Sequence, residues 1–520
     1  MDISRKRNLV TLTRRLLCSA IVLGMVLSTE VFAQTTGAVI YLDSLHQVIR
    51  GFGAANIVGP GWRPDMTSGQ IQTAFGTGSG QLGFTVLRLR IPPDSSQFGL
   101  DIPTAEAAVG MGVKLIATPW TPPAWMKTNK NTVGGSLDTN NYAAFAAHLK
   151  AFADTMTNHS APLYAVSVQN EPDANVTYES CFWNATQFLN FMKNNAPSVG
   201  VPVFMPESES FTHSFSDATL NDSVACAHTA FIGGHLYGAS PTSYPLAVSK
   251  GKEVWMTEWL NTDTSWSAVL ATGKQINDCM NVGMSAYVWW YIVRFYGPIN
   301  ESNNSPTKRG YVMSQFSRFV RPNNVNVFVT VPSGQIYVTA YKAEVPGGTN
   351  NSRFIIVALN TGSSSVDETF TVQGIANGTA TATPYVTSST KNCEQQNNIA
   401  ISNGAFTATL GDSSVTTFVG NVVTGVDDIP KAPRTFELHQ NYPNPFNPTT
   451  RIDYGVPQAV NVSLKVYNLL GVEVADLYTG YRRPGNYSAV FDGSAFASGV
   501  YFYRLTAGSF VSTRKLILLK

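Results

Sequence analysis

The sequence predicts a (β/α)8 barrel with an attached β-sandwich, followed by a small all-β domain, and three observations carry that prediction. Between residues 51 and 320, short apolar runs rich in β-formers alternate with helical patterns, as repeated βα units around a parallel sheet require. Several of those runs end in residues suited to chemistry, and functional groups gathered at the C-terminal ends of many strands are typical of a closed barrel. From Asn326 to Val423 the helical pattern vanishes, and strand-like runs are separated by Gly, Asn and Ser clusters, the pattern of a sandwich. A doubly wound sheet is the competing fold for the first region.

Residues 1–33 read as an export signal. Arg5, Lys6, Arg7, Arg14 and Arg15 precede an apolar run from Leu16 to Leu27, and Val31-Phe32-Ala33 offers a small-residue cleavage site. The apolar run is shorter than the roughly 20 residues a membrane-spanning helix needs. Residues 38–50 are strand-like and are expected to add to the sandwich before the chain enters the barrel at 51–320. Barrel strand candidates are Val86 to Arg90, Lys114 to Thr118, Tyr164 to Val168, Val203 to Met205, Phe231 to His235, Glu253 to Thr257 and Ala286 to Ile292. The side sandwich is assigned to 321–424, a Pro-bearing charged linker to 425–434, and a separate β domain to 435–520.

Composition narrows the function. Charged residues are 13% of the 520 and the formal net charge is +2, so no field is strong enough to hold nucleic acid or an anionic membrane by charge alone. Aromatics reach 11%, as in a folded protein, and its partner need not be charged. After loss of the leader the cysteines are Cys181, Cys226, Cys279 and Cys393, with no CxxC pair and no zinc spacing. Neither a metal nor a cofactor is expected. Gly78-Ser-Gly-Gln-Leu-Gly83 matches a dinucleotide fingerprint in letters only, because it precedes a strand rather than linking a strand to a helix. No GxSxG, HExxH or Walker A string occurs.

Two glutamates stand out. Leu163 to Pro172 is an apolar run ending in Asn170-Glu171-Pro172, and Lys252 to Trp259 ends another run at Glu258. A carboxylate at the exit of a buried strand is costly unless partners or function explain it. Glycosidic bond cleavage needs two such groups, one protonated to assist the leaving oxygen and one ionised to attack. Glu253 opens its strand and belongs to the opposite barrel face, whereas Glu207 and Glu209 follow the strand at Met205 and are less easily set aside. Trp120, Trp125, Trp183, Tyr237, Trp289, Trp290 and Tyr291 fall near the same strand ends. Their rings suit the flat C–H faces of sugars, and Asn170 and His235 suit hydroxyls.

At these residues the chain resembles a known family. The strings VSVQNEP, GHLYG, VWMTEW, YVWWYI, TPWTPPAWMKTN and KRGYVMSQFSRFVRP are similar to glycoside hydrolase family 30, especially its bacterial glucuronoxylanase-type branch, over about residues 38–420. The resemblance implies a barrel with a sandwich built from both ends of the catalytic unit. It also implies a retaining mechanism with Glu171 as acid/base and Glu258 as nucleophile, about 5 to 5.5 Å apart. Sugar contacts are implied for Trp120, Asn170, Tyr237, Trp290 and Tyr291, and His235 and Arg294 are taken as candidate contacts beside them. Such glucuronoxylanases typically carry a Tyr two residues past the nucleophile and an Arg-Arg pair after WWYI, where this chain has Leu260 and Val293-Arg294. A single guanidinium is a weaker clamp for a uronate, so the expected activity is cleavage of internal β-1,4 bonds of xylan with weakened or no dependence on glucuronate branches. A β-1,6-glucanase or β-glucosidase of the same family is the alternative, and a non-catalytic surface sugar-binding protein a further one.

The last 86 residues, with NYPNPFNPTTRIDYGVP, VYNLLGVEV and GVYFYRLTAG, resemble a type IX secretion C-terminal sorting domain. That resemblance implies a secreted or surface-displayed protein whose partners are a polysaccharide and the secretion machinery. Nucleic acid is excluded, and a monomer is expected.

Overall fold

A computed structural model describes residues 37–519 apart from 333, 344–351, 376–377, 425–434, 459 and 483–484. The expected export signal and the expected linker lie outside the described residues. Eight parallel strands close into a barrel. They are β1 (Gly51–Asn56), β2 (Val86–Ile91), β3 (Lys114–Pro119), β4 (Leu163–Ser167), β5 (Val203–Ser208), β6 (Thr229–His235), β7 (Glu253–Glu258) and β8 (Met284–Tyr291). Helices such as Tyr142–Asn158, Ala185–Asn194, Trp266–Asn281 and Lys308–Ser317 follow successive strands and bury apolar faces against them. Closure comes from β8 pairing with β1, Gly51 opposite Ala286.

Seven of these strands carry the apolar runs read from the sequence. The eighth, β1, reads Gly-Phe-Gly-Ala-Ala-Asn and has weak intrinsic strand preference. Position overrides propensity there: every residue of β1 is buried, and a Cβ on Gly53 would lie 1.7 Å from the Val86 carbonyl oxygen, so only glycine lets β1 and β2 approach. Inside the barrel, Phe204, Phe231 and Trp255 stack with ring centroids 4.4 and 4.2 Å apart, and Val86 and Ile116 join them. This apolar plug fills the lower interior. Two residues further along β2, the inward side chain is Arg88.

The side module is a single ten-stranded sheet that curls around one core rather than two separately hydrogen-bonded sheets. Gly37–Val48 is the reason: it pairs antiparallel with Val325–Thr330 and parallel with Val366–Gln373, joining what would otherwise be two edges. The C-terminal region holds a three-stranded and a four-stranded sheet around a core of its own that includes Tyr454, Leu464 and Tyr503. Among the described residues Cys181, Cys226, Cys279 and Cys393 are all free.

Candidate active site

Glu171 lies just past the end of β4. Its backbone is left-handed, with φ of 41°, a conformation that non-glycine residues seldom hold without a local reason. That reason is visible: the Glu171 amide donates to the Glu207 carbonyl at 3.0 Å, and the neighbouring Asn170 amide to the Pro119 carbonyl at 2.9 Å. The turn is thus tied to both flanking strands. Glu258 closes β7. One carboxylate oxygen from each glutamate and one ring nitrogen of His235 lie within 4.8 Å of one another.

The two carboxylates are held differently. On the Glu258 side, Arg88 Nη1 donates to Oε2 at 2.5 Å and Tyr237 OH to Oε1 at 2.8 Å. On the Glu171 side, His235 Nδ1 meets Oε1 at 2.9 Å and Tyr178 OH meets Oε2 at 3.5 Å. Burial raises the Glu258 carboxyl above its ordinary value, against the pull of His235 and Arg88. Burial alone would discharge His235, but the negative charges of Glu258, Glu171 and Glu207 override it and raise the imidazole to about 9, so His235 is a cation at neutral pH. Burial, and then the charge of Glu258, drive the Tyr237 phenol well above its ordinary value, which keeps it a hydrogen-bond donor.

Above the pair opens a cleft of about 650 Å³ lined by Trp62, Trp120, Tyr178, Tyr237, Leu260, Trp290 and Tyr291 together with Glu171, Glu179, Glu209 and Glu258. Trp62, Trp120 and Trp290 form a continuous run, with centroids 5.8 and 5.7 Å apart. Trp120, Tyr237, Trp290 and Tyr291 therefore come together with the two glutamates. Other residues read from the sequence are not among those lining the cleft. His235 has no exposed surface, and its Nδ1 faces Glu171. Asn170 accepts from Arg88 Nη2 at 2.7 Å and is 3% exposed. Trp183 is buried against Tyr142, Phe188 and Phe191, and Trp289 under Arg309 and Trp259; both serve the core. Trp125 is exposed and does not line the cleft. Arg294 pairs with Glu301 at 3.2 Å, a carboxylate shared with Arg63 at 2.5 Å, and it too stands outside the cleft lining.

Sequence reasoning missed Arg88, Trp62, Tyr178 and Glu179. Arg88 and Arg90 alternate with apolar residues in a strand buried throughout, and that period of two was the available signal that both point inward. Arg90 clamps Glu179 through two nitrogens at 2.6 and 3.0 Å. Trp62 follows β1, and with β1 unassigned nothing marked the loop after it.

Comparisons with known proteins agree on the class: an enzyme of the glycoside hydrolases. A glycosyl hydrolase family 30 TIM-barrel domain matches residues 89–197, and a secretion system C-terminal sorting domain matches residues 440–519. The glucuronoxylanase XynC of Bacillus subtilis (strain 168) is 39% identical over 411 residues, covering 76% of this chain and 94% of that protein. Among solved structures, the family 30 subfamily 8 xylanase Xyn30A of Clostridium acetobutylicum superposes with a TM-score of 0.68 at 38% identity, covering 75% of this chain and 100% of that one. A family 30 endoxylanase of Clostridium papyrosolvens C71 does so with a TM-score of 0.67 at 35% identity, covering 74% and 100%. The chain belongs to glycoside hydrolase family 30. Its sorting domain marks a secreted or cell-surface protein that engages a secretion machinery through its C-terminal region.

Proposed function

We propose that this enzyme is an endo-β-1,4-xylanase working by double displacement, with Glu258 as nucleophile, Glu171 as general acid/base and little dependence on glucuronate branches. The observation that supports the mechanism is the approach of the two carboxylates to within 4.8 Å. That separation favours direct attack, because inverting enzymes hold their carboxyls about 6.5 to 9.5 Å apart to admit a water. In the first step Glu258 forms a bond to the anomeric carbon as the glycosidic C–O bond breaks, and Glu171 gives its proton to the departing oxygen. In the second, Glu171 takes a proton from water as the water oxygen bonds to the anomeric carbon, and the bond to Glu258 breaks. Arg88 and Tyr237 fix the attacking carboxylate and stabilise its charge.

The xylan assignment rests on the similar proteins being a glucuronoxylanase and xylanases, and the cleft supports it: aromatic walls for sugar faces and no cationic side chain among the lining residues. A glucuronate branch would want a paired guanidinium, but Leu260 and Val293 replace the usual partners and Arg294 is engaged with Glu301. Glucuronoxylan, arabinoxylan and unbranched xylan should be cut at similar rates, and Arg294→Ala should change the three alike. A loss of several hundredfold confined to glucuronoxylan would overturn the branch-independent reading. The enzyme is read as a monomer, for which sedimentation velocity should give one species at the mass of one chain.

A further inference from the structure

The reaction as described uses two carboxylates, yet a third stands behind them. Glu207 ends the inward face of β5 with no accessible surface, and its φ of 53° places it, like Glu171, in a conformation that needs support from its surroundings. Its carboxylate lies between the two cations of the site. Oε1 is 3.2 Å from Arg88 Nη2 and 3.7 Å from His235 Nε2, and neither that oxygen nor that nitrogen has a hydrogen-bond partner among the described residues. Oε2 accepts from Thr118 at 2.9 Å, and Thr118 in turn accepts from Arg88 Nε at 3.2 Å. Through its main chain, Glu207 also receives the Glu171 amide.

We propose that Glu207 is a positioning residue, the shared counterion that seats His235 against Glu171 and Arg88 against Glu258. This rests on the reading of Glu171 and Glu258 as the reacting pair. The charge balance explains the need for it. Arg88 and His235 are two buried cations facing Glu171, Glu207 and Glu258, and the five groups together carry no net charge when Glu207 and Glu258 are ionised and Glu171 holds the proton required for the first step. Without Glu207 that same protonated state would leave one buried positive charge in excess. Burial would push the Glu207 carboxyl up, but Arg88 and His235 outweigh it and hold the group down at about 2, so it stays ionised wherever the enzyme works. The groups around His235 are Glu171 and Asp173 beyond β4, Glu207 and Glu209 on and beyond β5, Glu258 on β7 and the Tyr237 ring. Of these Glu207 alone reaches Nε2 at ion-pair distance.

The test is Glu207→Gln in the full chain, which keeps the shape and removes the charge. With a close opposite charge gone, the His235 cation should lose its proton about one pH unit lower, and the alkaline limb of kcat should move to lower pH by the same amount. At the optimum kcat should fall roughly 10- to 100-fold with KM nearly unchanged, below or at the low end of the roughly 10²- to 10⁴-fold that a lost general acid–base group costs. Glu207→Asp should restore part of both losses, and nuclear magnetic resonance titration of the imidazole signals, with His235 assigned by a His235→Gln variant, should show the shift directly. Wild-type kcat and an unmoved alkaline limb in Glu207→Gln would overturn the proposal. So would a loss carried by KM alone. If the Gln variant does not fold, Glu207→Asp decides: a smaller shift of the same sign supports the role, and an unmoved limb overturns it. Glu258→Gln separates the two levels of inference, because full activity in that variant would remove the reacting pair itself.

Discussion

β7 begins and ends in glutamate, and the two carboxylates have opposite settings. Glu253, at the strand's start, is 28% exposed in its side chain and pairs with Arg50 at 2.6 Å, with the Trp255 indole N–H donating to its other oxygen at 3.1 Å. Glu258, at the strand's end, is 5% exposed and faces Arg88, Tyr237, His235 and a second acid. Residue type and strand are the same, and even the guanidinium partner is the same in kind. The difference is solvent: an ion pair near water gains about 0 to 1 kcal/mol, whereas a buried charge stripped of its partner costs about 3 to 5 kcal/mol. On the proposed mechanism, reactivity belongs to the end of the strand where water has been replaced by fixed donors and a facing carboxyl.

That comparison can be broken or sharpened in four ways. The largest effect should come from Glu258→Gln, with kcat down on the order of 10⁴-fold or more and a melting temperature no lower than wild type; retention of a tenth of the activity would remove Glu258 from the chemistry. Next is Arg88→Met, which strands Glu207 and Glu258 without their shared cation. Denaturant titration should show a loss of about 3 to 5 kcal/mol, and a loss under 1 kcal/mol would mean the site is wetter than its burial implies. Third is pH. The rate should rise as Glu258 ionises, and because its carboxyl is raised above 4.5 the acid limb of kcat/KM should lie above that value. Stability follows from the signs. Glu207, lowered from 4.5 to about 2, contributes in full above 4.5 and loses that contribution as pH falls through 2. His235, raised from 6.5 to about 9, contributes in full below 6.5 and loses it as pH rises through 9. Melting temperature should therefore fall on both sides of the interval from 4.5 to 6.5, and a maximum near pH 9 would contradict the charged state of His235. The smallest effect should be Glu253→Gln, within about 1 kcal/mol of wild type and with unchanged kcat.

The fold class was legible because buried strands write themselves as apolar runs and helices as a 3.6-residue period. β1 escaped for a reason of the same kind: Gly53 and Ala54 are chosen for the close approach of β2, not for strand propensity. At the site, strand exits pointed to Glu171 and Glu258 but left Glu207 and Glu209 beside them, because burial makes any carboxylate at a strand end conspicuous. Aromatic residues were harder to place. Trp289 and Trp290 are adjacent in sequence, but in a strand adjacent side chains point to opposite faces, so one packs under Arg309 and the other walls the cleft. Trp183 follows a loop rather than a strand, and nothing in its neighbours announced that it would stack on Phe188. Arg88 was not singled out, although its place in an alternating buried strand put it on the inward face. Its partners Glu207 and Glu258 lie far along the chain, and only closure of the barrel brings all three together.

The strand Gly37–Val48 is stitched between Val325–Thr330 and Val366–Gln373, so the catalytic unit is fastened shut by joining its beginning to its end. A chain that emerges N-terminus first carries this strand unpaired while all eight barrel strands are being made, and any product stopped before residue 373 leaves two sheet edges open to other molecules. Synthesis through residue 373, rather than closure of the barrel, is thus the point at which this strand has both its neighbours. The sorting region that follows this seam is the last to appear, so handover to the export apparatus through that region comes only after the seam can close.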